Sequence, residues 1–290
     1  MNGKIILSAD STCDLSSELK EKYNVHFVPY HIIVDGEERI DNVDVKVEEI
    51  FGIYDKKGIL PKTAAINVDD YIKTFKKWTD EGYEVIHICL GSALTTAYNN
   101  CRLAAEELKG LYPVDSCNLS TGTGHLVIEA AKRIAAGMPA PEIVKELDVI
   151  KRNIHSSFIL DTLEYMHAGG RCSAIVKLGA NILKLKPCIE VNNADGSMGL
   201  GKKYRGELDS VLVKYTKDKL SEYENISDER IFITYSSIEE KYVGLVKKAI
   251  EETMSFKNIY VTNASCTISS HCGPRTLGIL FMTDEEGKNE

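Results

Sequence analysis

Three clusters of small polar residues stand directly after apolar runs in this sequence: Asp10-Ser11-Thr12 after KIILSA, Gly91-Ser92 after EVIHICL, and Asp115-Ser116 after YPV. In an open parallel sheet the ligand crevice lies beyond the carboxyl ends of the strands, so hydroxyls and carboxylates placed there are candidates for holding a polar ligand group. The same side chains also cap helices, by accepting from the free N–H groups of a first turn. For Asp10 to Thr12 both roles stand open; Ser92 is read as functional. Two cationic features could complete a site for an oxyanion. HAGGRCS (167–173) sets Arg171 beside two glycines at the start of a helix, and SSHCGPRTLG (269–278) sets His271 in a turn stiffened by glycine and proline. A guanidinium or an imidazole on a rigid turn can bind or neutralise a carboxylate.

Other chemistries have weaker signals. Ser92 as nucleophile, His271 as base and Asp10 or Asp115 as orienter would supply the residue types of a hydrolytic triad. The local sequence LGSALTT, however, is not the G-x-S-x-G elbow. STGTGH (120–125) lacks the lysine of a phosphate loop and the third glycine of a dinucleotide fingerprint. It reads as a helix start where glycine permits close packing.

These residues need elements to position them. KIILSAD, YEVIHICLG and YPVDS read as strands, and helical segments follow each of them. In VDDYIKTFKKWTDEG, Tyr71, Phe75 and Trp78 recur at helical spacing and predict a buried stripe. PEIVKELDVIKRNIH puts Ile143, Leu147, Ile150 and Ile154 on one helical face in the same way. Strand–helix alternation predicts a parallel sheet covered by helices. Beyond about residue 158 the texture changes. SAIVKLGANILKL reads as an amphipathic helix, KPCIEVNNADGSMGLGKKYRG as a hairpin turning at Asp195-Gly196, and RIFITYSS and NIYVTNAS as strands around a helix. The expected organisation is an α/β domain over 1–158 and a mixed α+β domain over 159–290, with a cleft between them and a frayed DEEGKNE tail.

Composition bounds the function. A net charge of −8 argues against nucleic acid or an anionic membrane surface as the main partner, since these call for a basic face. The apolar stretch near the N-terminus is too short for a signal peptide, and no run approaches the roughly 18 apolar residues of a membrane span. Eight cysteines are scattered without a C-x-x-C pair, the pattern of buried free thiols in a reducing cytoplasm.

Seven motifs, in order, together resemble the DegV family over nearly the whole chain. DSTCDL (10–15) is similar to its opening signature, and PKTAA (61–65) takes the place of its Pro-x-Thr-Ser segment. GSALTTAY (91–98) resembles Ser-Ser-x-Leu-Ser-Gly-Thr-Tyr, and VDS (114–116) with STGTG (120–124) the next block. LEYMHAGGR (163–171) resembles Leu-x-Tyr-Leu-x-x-Gly-Gly-Arg, GKKYRG (201–206) a Gly-Lys-x-Arg turn, and HCGPRTLG (271–278) the ending His-x-Gly-Pro-Gly-x-x-Gly. Gly91 in place of serine, Thr95-Thr96 in place of Ser-Gly, and Arg275 in place of a common glycine depart from the pattern and leave open the chain preference and the pocket mouth.

The resemblance implies two α/β domains with one long-chain fatty acid buried between them. It implies that Thr63 and Ser92 bind the carboxylate, that Arg171 and His271 lie near it, and that Arg205 faces a partner, an ATP-dependent fatty acid kinase that makes acyl phosphate. A tail of about 14 methylenes at ~0.8 kcal/mol each gains on the order of 11 kcal/mol before association costs. The hydroxyls would set the depth of the carboxylate, which is expensive to bury unsatisfied. The sequence carries no ATP or Mg²⁺ motif, so the expectation is a carrier, not an enzyme, with no cofactor beyond the bound lipid. The alternatives are a lipid-plugged regulatory module and the Ser92–His271 hydrolase.

Overall fold

In the computed structural model, which describes residues 4–178 and 185–284, the strands divide among three sheets. The first part of the chain runs β1 (Ile5–Asp10), α1 (Ser17–Lys22), β2 (Val25–Val28), β3 (His31–Val34), β4 (Glu37–Ile40), α2 (Val47–Lys57), β5 (Lys62–Ala64), α3 (Val68–Asp80), β6 (Glu84–Cys89), α4 (Ala97–Glu107), β7 (Leu111–Asp115), α5 (Ser120–Ala135) and α6 (Ala140–Ile150). Strands β2-β1-β6-β7 form an all-parallel sheet, as the alternation predicts. Asn67 starts α3 by accepting from the Asp70 N–H at 2.9 Å, and Tyr71 and Phe75 are then fully buried on the predicted stripe, with Trp78 half-buried. Burying such a ring is worth roughly 2–3 kcal/mol, so this face docks α3 onto the sheet. Ile143, Leu147, Ile150 and Ile154 are likewise buried.

The reading of the sequence leaves residues 25–64 unassigned. Residues 25–28 become β2, an edge strand of the parallel sheet, and residues 31–64 fold into the small antiparallel sheet β4-β3-β5 and α2. Strands of three or four residues are too short for a period to be counted.

The second part runs β8 (Ile154–Ile159), α7 (Glu164–Gly169), α8 (Ser173–Leu178), β9 (Leu185–Val191), β10 (Met198–Arg205), α9 (Leu208–Ser221), β11 (Ile226–Ser236), α10 (Glu240–Thr253), β12 (Ile259–Asn263), α11 (Cys266–Cys272) and β13 (Thr276–Thr283). Its sheet, β10-β9-β8-β13-β11-β12, is antiparallel except for the β11–β12 pair. The hairpin turns at Asp195-Gly196 as expected. Gly196 has a φ of +77°, and a Cβ there would lie 2.8 Å from the Cys117 backbone, so glycine is required twice over. The predicted continuation of α8 over 179–184 and the tail over 285–290 lie outside the described residues. Among the described residues no helix is long and apolar enough to cross a membrane. All eight cysteines are buried and free.

His271 is not in a turn. It sits in the last turn of α11, which Ser265 opens by accepting from the Ile268 N–H at 3.4 Å and Gly273 closes. A seven-residue helix is too short to announce itself by periodicity. What fixes α11 is the opening DSTCDL signature and its neighbour Asp41. Buried Asp14 accepts from the Ser265 N–H at 2.9 Å and the Ser120 hydroxyl at 2.6 Å. Buried Asp41 accepts from the Cys266 N–H at 2.9 Å, Thr267 at 2.8 Å and Ser11 at 3.0 Å. The helix carrying His271 is thus tied to the parallel-sheet half by two carboxylates that form no ion pair among the described residues.

Burial raises Asp14 to about 7, while its Ser120 and Ser265 partners oppose the shift. A carboxyl whose folded pKa lies above its unfolded value holds more protons when folded. Its contribution therefore favours folding at low pH and is lost as pH rises from about 4 to 7. Asp14→Asn keeps an acceptor for Ser265 and removes the buried charge. The variant's stability relative to the parent should rise with pH by roughly 4 kcal/mol between pH 4 and pH 8. Urea unfolding of both proteins across that range measures it, and a pH-independent difference would contradict the assignment.

Candidate functional site

Ser92 is placed by strand pairing. Cys89 at the end of β6 lies opposite Asp115 at the end of β7, so the chain leaving β6 passes directly over that carboxylate. The Ser92 N–H donates to Asp115 Oδ1 at 3.0 Å and the Ser92 hydroxyl to Oδ2 at 2.5 Å, and the Cys117 N–H also reaches Oδ1 at 3.0 Å. Gly91 has a local reason: its N–H donates to the Asn118 carbonyl at 2.9 Å, and a Cβ would stand 2.9 Å from the Asn118 backbone. A serine there would force the two loops apart.

Asp10 neither caps a helix nor lines the site. It accepts from the Leu90 N–H at 2.8 Å, His87 Nε2 and Tyr71 at 3.0 Å, and Tyr30 at 3.4 Å. It therefore anchors the strand end from which the Ser92 loop departs. The Ser8 hydroxyl spends its proton on the His26 carbonyl at 2.8 Å, so it must accept from His87 Nδ1 at 3.0 Å. His87 then donates from both ring nitrogens and is an imidazolium. Burial opposes that charge, but Cys89 and Asp10 outweigh it and raise His87 to about 9. His87, Cys89 and Cys101 bring possible metal-ligating atoms within 4.8 Å of one another. A doubly protonated imidazole has no lone pair to give a metal.

Thr63 on β5 and His271 on α11 meet, with Thr63 Oγ1 and His271 Nε2 2.9 Å apart. His271 Nδ1 is buried with no hydrogen-bond partner among the described residues and faces Gly169, where a Cβ would sit 2.3 Å from it. Burial first, and the Arg171 charge second, lower His271 to about 4, so the ring is neutral at pH 7. One of its nitrogens carries the proton. A bare lone pair left unpaired at Nδ1 costs less than an unpaired buried N–H, which assigns the proton to Nε2. His271 therefore donates to Thr63, and the Thr63 proton has no acceptor among the described residues. This arrangement requires a glycine at 169. Arg171 lies exposed at the rim, folded back onto the Gly169 carbonyl at 2.6 Å.

Thr63, Ser92, Arg171 and His271 all line one cavity of about 510 Å³. Ligand pockets of this size are usual for small molecules. Leu90, Leu94, Leu119, Phe158, Met198 and Leu280 form much of its wall. Most hydroxyls on the wall are already committed: Ser120 to Asp14, Thr267 to Asp41, Ser236 to Ser269 and Thr276 to the Cys272 carbonyl. Thr63 has its oxygen satisfied by His271 and its proton available; Thr95 is placed similarly, its oxygen accepting from the Tyr30 hydroxyl at 3.4 Å and the Ala97 N–H at 3.3 Å. Tyr30 and Thr95, bridged at 3.4 Å, also line the cavity and went unread in the sequence. Tyr30 carried no motif signal, whereas Thr95 lay inside a motif and registered only as a departure.

The hydrolase geometry does not form. Ser92 bonds Asp115, His271 bonds Thr63, and among the described residues no carboxylate bonds His271. Arg275 takes the left-handed φ of +59° that a glycine adopts freely, and spends its guanidinium on Asp161 and Glu239, both at 2.9 Å, away from the cavity wall. Gly122 and Gly124 in the STGTG run pack against Asn118, Ser156 and Leu15, in keeping with a packing role. Arg205 is exposed at the end of β10, in a cleft it shares with Lys202, Lys203 and Lys214.

The family model for uncharacterised proteins of the DegV family matches residues 4–284. A DegV domain-containing protein of Clostridium perfringens is 28% identical over 286 residues, covering 97% of this chain and 99% of the relative. Another, from Staphylococcus aureus, is 28% identical over 283 residues, covering 96% and 99%. Among solved structures, a fatty-acid-binding DegV family protein from Thermus thermophilus matches with a TM-score of 0.88 at 25% identity, over 97% of this chain and 100% of that one. A DegV lipid-binding protein from Thermotoga maritima matches with a TM-score of 0.83 at 25% identity, over 97% and 98%. A stearic acid-binding protein from Eubacterium ventriosum, 23% identical with a TM-score of 0.82 over 97% and 98%, shares the fold.

Proposed function

This chain belongs to the DegV family, and from that premise we propose that it binds one long-chain fatty acid in the 510 Å³ cavity and presents the carboxylate to a partner kinase. The observation that carries the reading is the chemistry of the wall. Apolar side chains supply most of the wall's surface, most hydroxyls are turned onto protein partners, and Thr63, bonded to His271, keeps an uncommitted donor on the wall that Ser92 and Arg171 also line. The tail supplies most of the affinity through burial of methylenes. Thr63 and Ser92 donate to the head group, and Arg171 at the rim favours its anionic form.

Transfer is the partner's work. A carboxylate oxygen attacks the γ-phosphorus of ATP and ADP leaves, with the cations that align and neutralise the reacting oxygens coming from the kinase. Lys203, Arg205 and Lys214 form no ion pair among the described residues, and this basic cleft on a chain of net charge −8 suits an acidic docking surface. In this reading the protein is a cytoplasmic carrier with no cofactor, no stable membrane insertion and no nucleic-acid partner. Its two lobes divide between residues 158 and 159, inside β8.

Mass spectrometry of a denatured extract of the purified protein should find one fatty acid of about C14–C18 per chain. An extract without stoichiometric fatty acid, together with no uptake of palmitate by delipidated protein, would overturn the proposal.

A further inference from the structure

The Ser92 hydroxyl has a single proton, and Asp115 holds it. We infer that Asp115 competes with the ligand carboxylate for the Ser92 hydroxyl, so that it holds the site's grip on the head group below what the same loop would give without the charge. The inference rests on the fatty-acid reading.

The geometry is specific. Asp115 Oδ1 is occupied by two backbone donors, Ser92 N–H and Cys117 N–H, both at 3.0 Å, which shape the loop. Oδ2 receives the Ser92 hydroxyl at 2.5 Å. A carboxylate bonded to Ser92 Oγ must take the proton away from Oδ2 and then stands within about 5 Å of a second carboxylate, a repulsive arrangement. Lys151 offsets it only in part: its Nζ is hydrogen-bonded to the Asp115 backbone carbonyl at 3.2 Å and to Asp148 Oδ1 at 2.9 Å instead of to the Asp115 carboxylate. A carrier that must surrender its cargo gains from this arrangement. The tail provides affinity and the competing carboxylate eases release of the head.

Asp115→Asn separates the two functions of this side chain. Its carbonyl oxygen can still accept from Ser92 N–H and Cys117 N–H. Its amide, in place of Oδ2, donates to Ser92 Oγ and frees the hydroxyl proton for the ligand. Palmitate affinity of delipidated protein should therefore rise about tenfold, with a slower off-rate. Hexadecanol, which has the tail but no carboxylate, should bind parent and variant alike. In a Ser92→Ala background the gain in palmitate affinity should shrink to less than about threefold, because the contested proton is gone.

Unchanged or weaker palmitate binding by Asp115→Asn overturns the inference, as does an equal gain for hexadecanol, which would mean a general loosening of the loop. Should that variant fail to fold, Asp115→Ser carries the same expectation. Failure of the parent protein to bind palmitate at all would instead strike the fatty-acid reading itself.

Discussion

Thr63→Ala should lower fatty-acid affinity about 10- to 150-fold, since a lost hydrogen bond to a buried charge typically costs about 1.5–3 kcal/mol. The upper part of that range is expected because the donor is prepaid. His271 Nε2 already satisfies the Thr63 oxygen, so the hydroxyl proton needs no rearrangement to meet the ligand. Ser92→Ala should fall at the lower end, because its hydroxyl must first leave Asp115. Gly169→Ala provides an independent approach to the same bond. Its methyl would stand 2.3 Å from His271 Nδ1, so the ring must move off Thr63 although no hydroxyl has been touched. Isothermal titration of palmitate into the delipidated variants measures all three. Parent-like affinity in both Thr63→Ala and Gly169→Ala would place the head group elsewhere.

Arg205→Ala should retain near-parental palmitate affinity and lose most acyl-phosphate formation when a fatty acid kinase and ATP are supplied. Arg205 lies in the basic cleft of β10 and α9, outside the cavity wall, so its removal has no direct route to the ligand. A cation at a partner interface acts on encounter and complex lifetime, which limit turnover only at low carrier concentration. His271→Ala should impair both steps, affinity through Thr63 and transfer through the misplaced carboxylate. Full kinase turnover by Arg205→Ala at limiting carrier would reduce the GKKYRG turn to solvated surface.

Much of this was legible in the sequence. The parallel sheet followed from the alternation of strands with helices, and the stripe of Tyr71, Phe75 and Trp78 from a periodicity that burial alone imposes. The hairpin at Asp195-Gly196 followed from turn chemistry. Thr63, Ser92, Arg171 and His271 were named from spacing and resemblance, and all four line one cavity.

What each does was decided by tertiary structure. Asp10, Asp14 and Asp41 look identical in type to a catalytic carboxylate, yet they are buried joints, because their partners lie far along the chain: His87, Ser265 and Cys266. The His271 tautomer depends on Gly169, about a hundred residues earlier, and on burial that only packing creates. Asp115 became a competitor for Ser92 only when β6 and β7 were paired in register. Local propensity and pattern are set by neighbours in sequence. A proton's position is set by whichever groups folding brings within 3 Å, and no single-chain pattern encodes that distance.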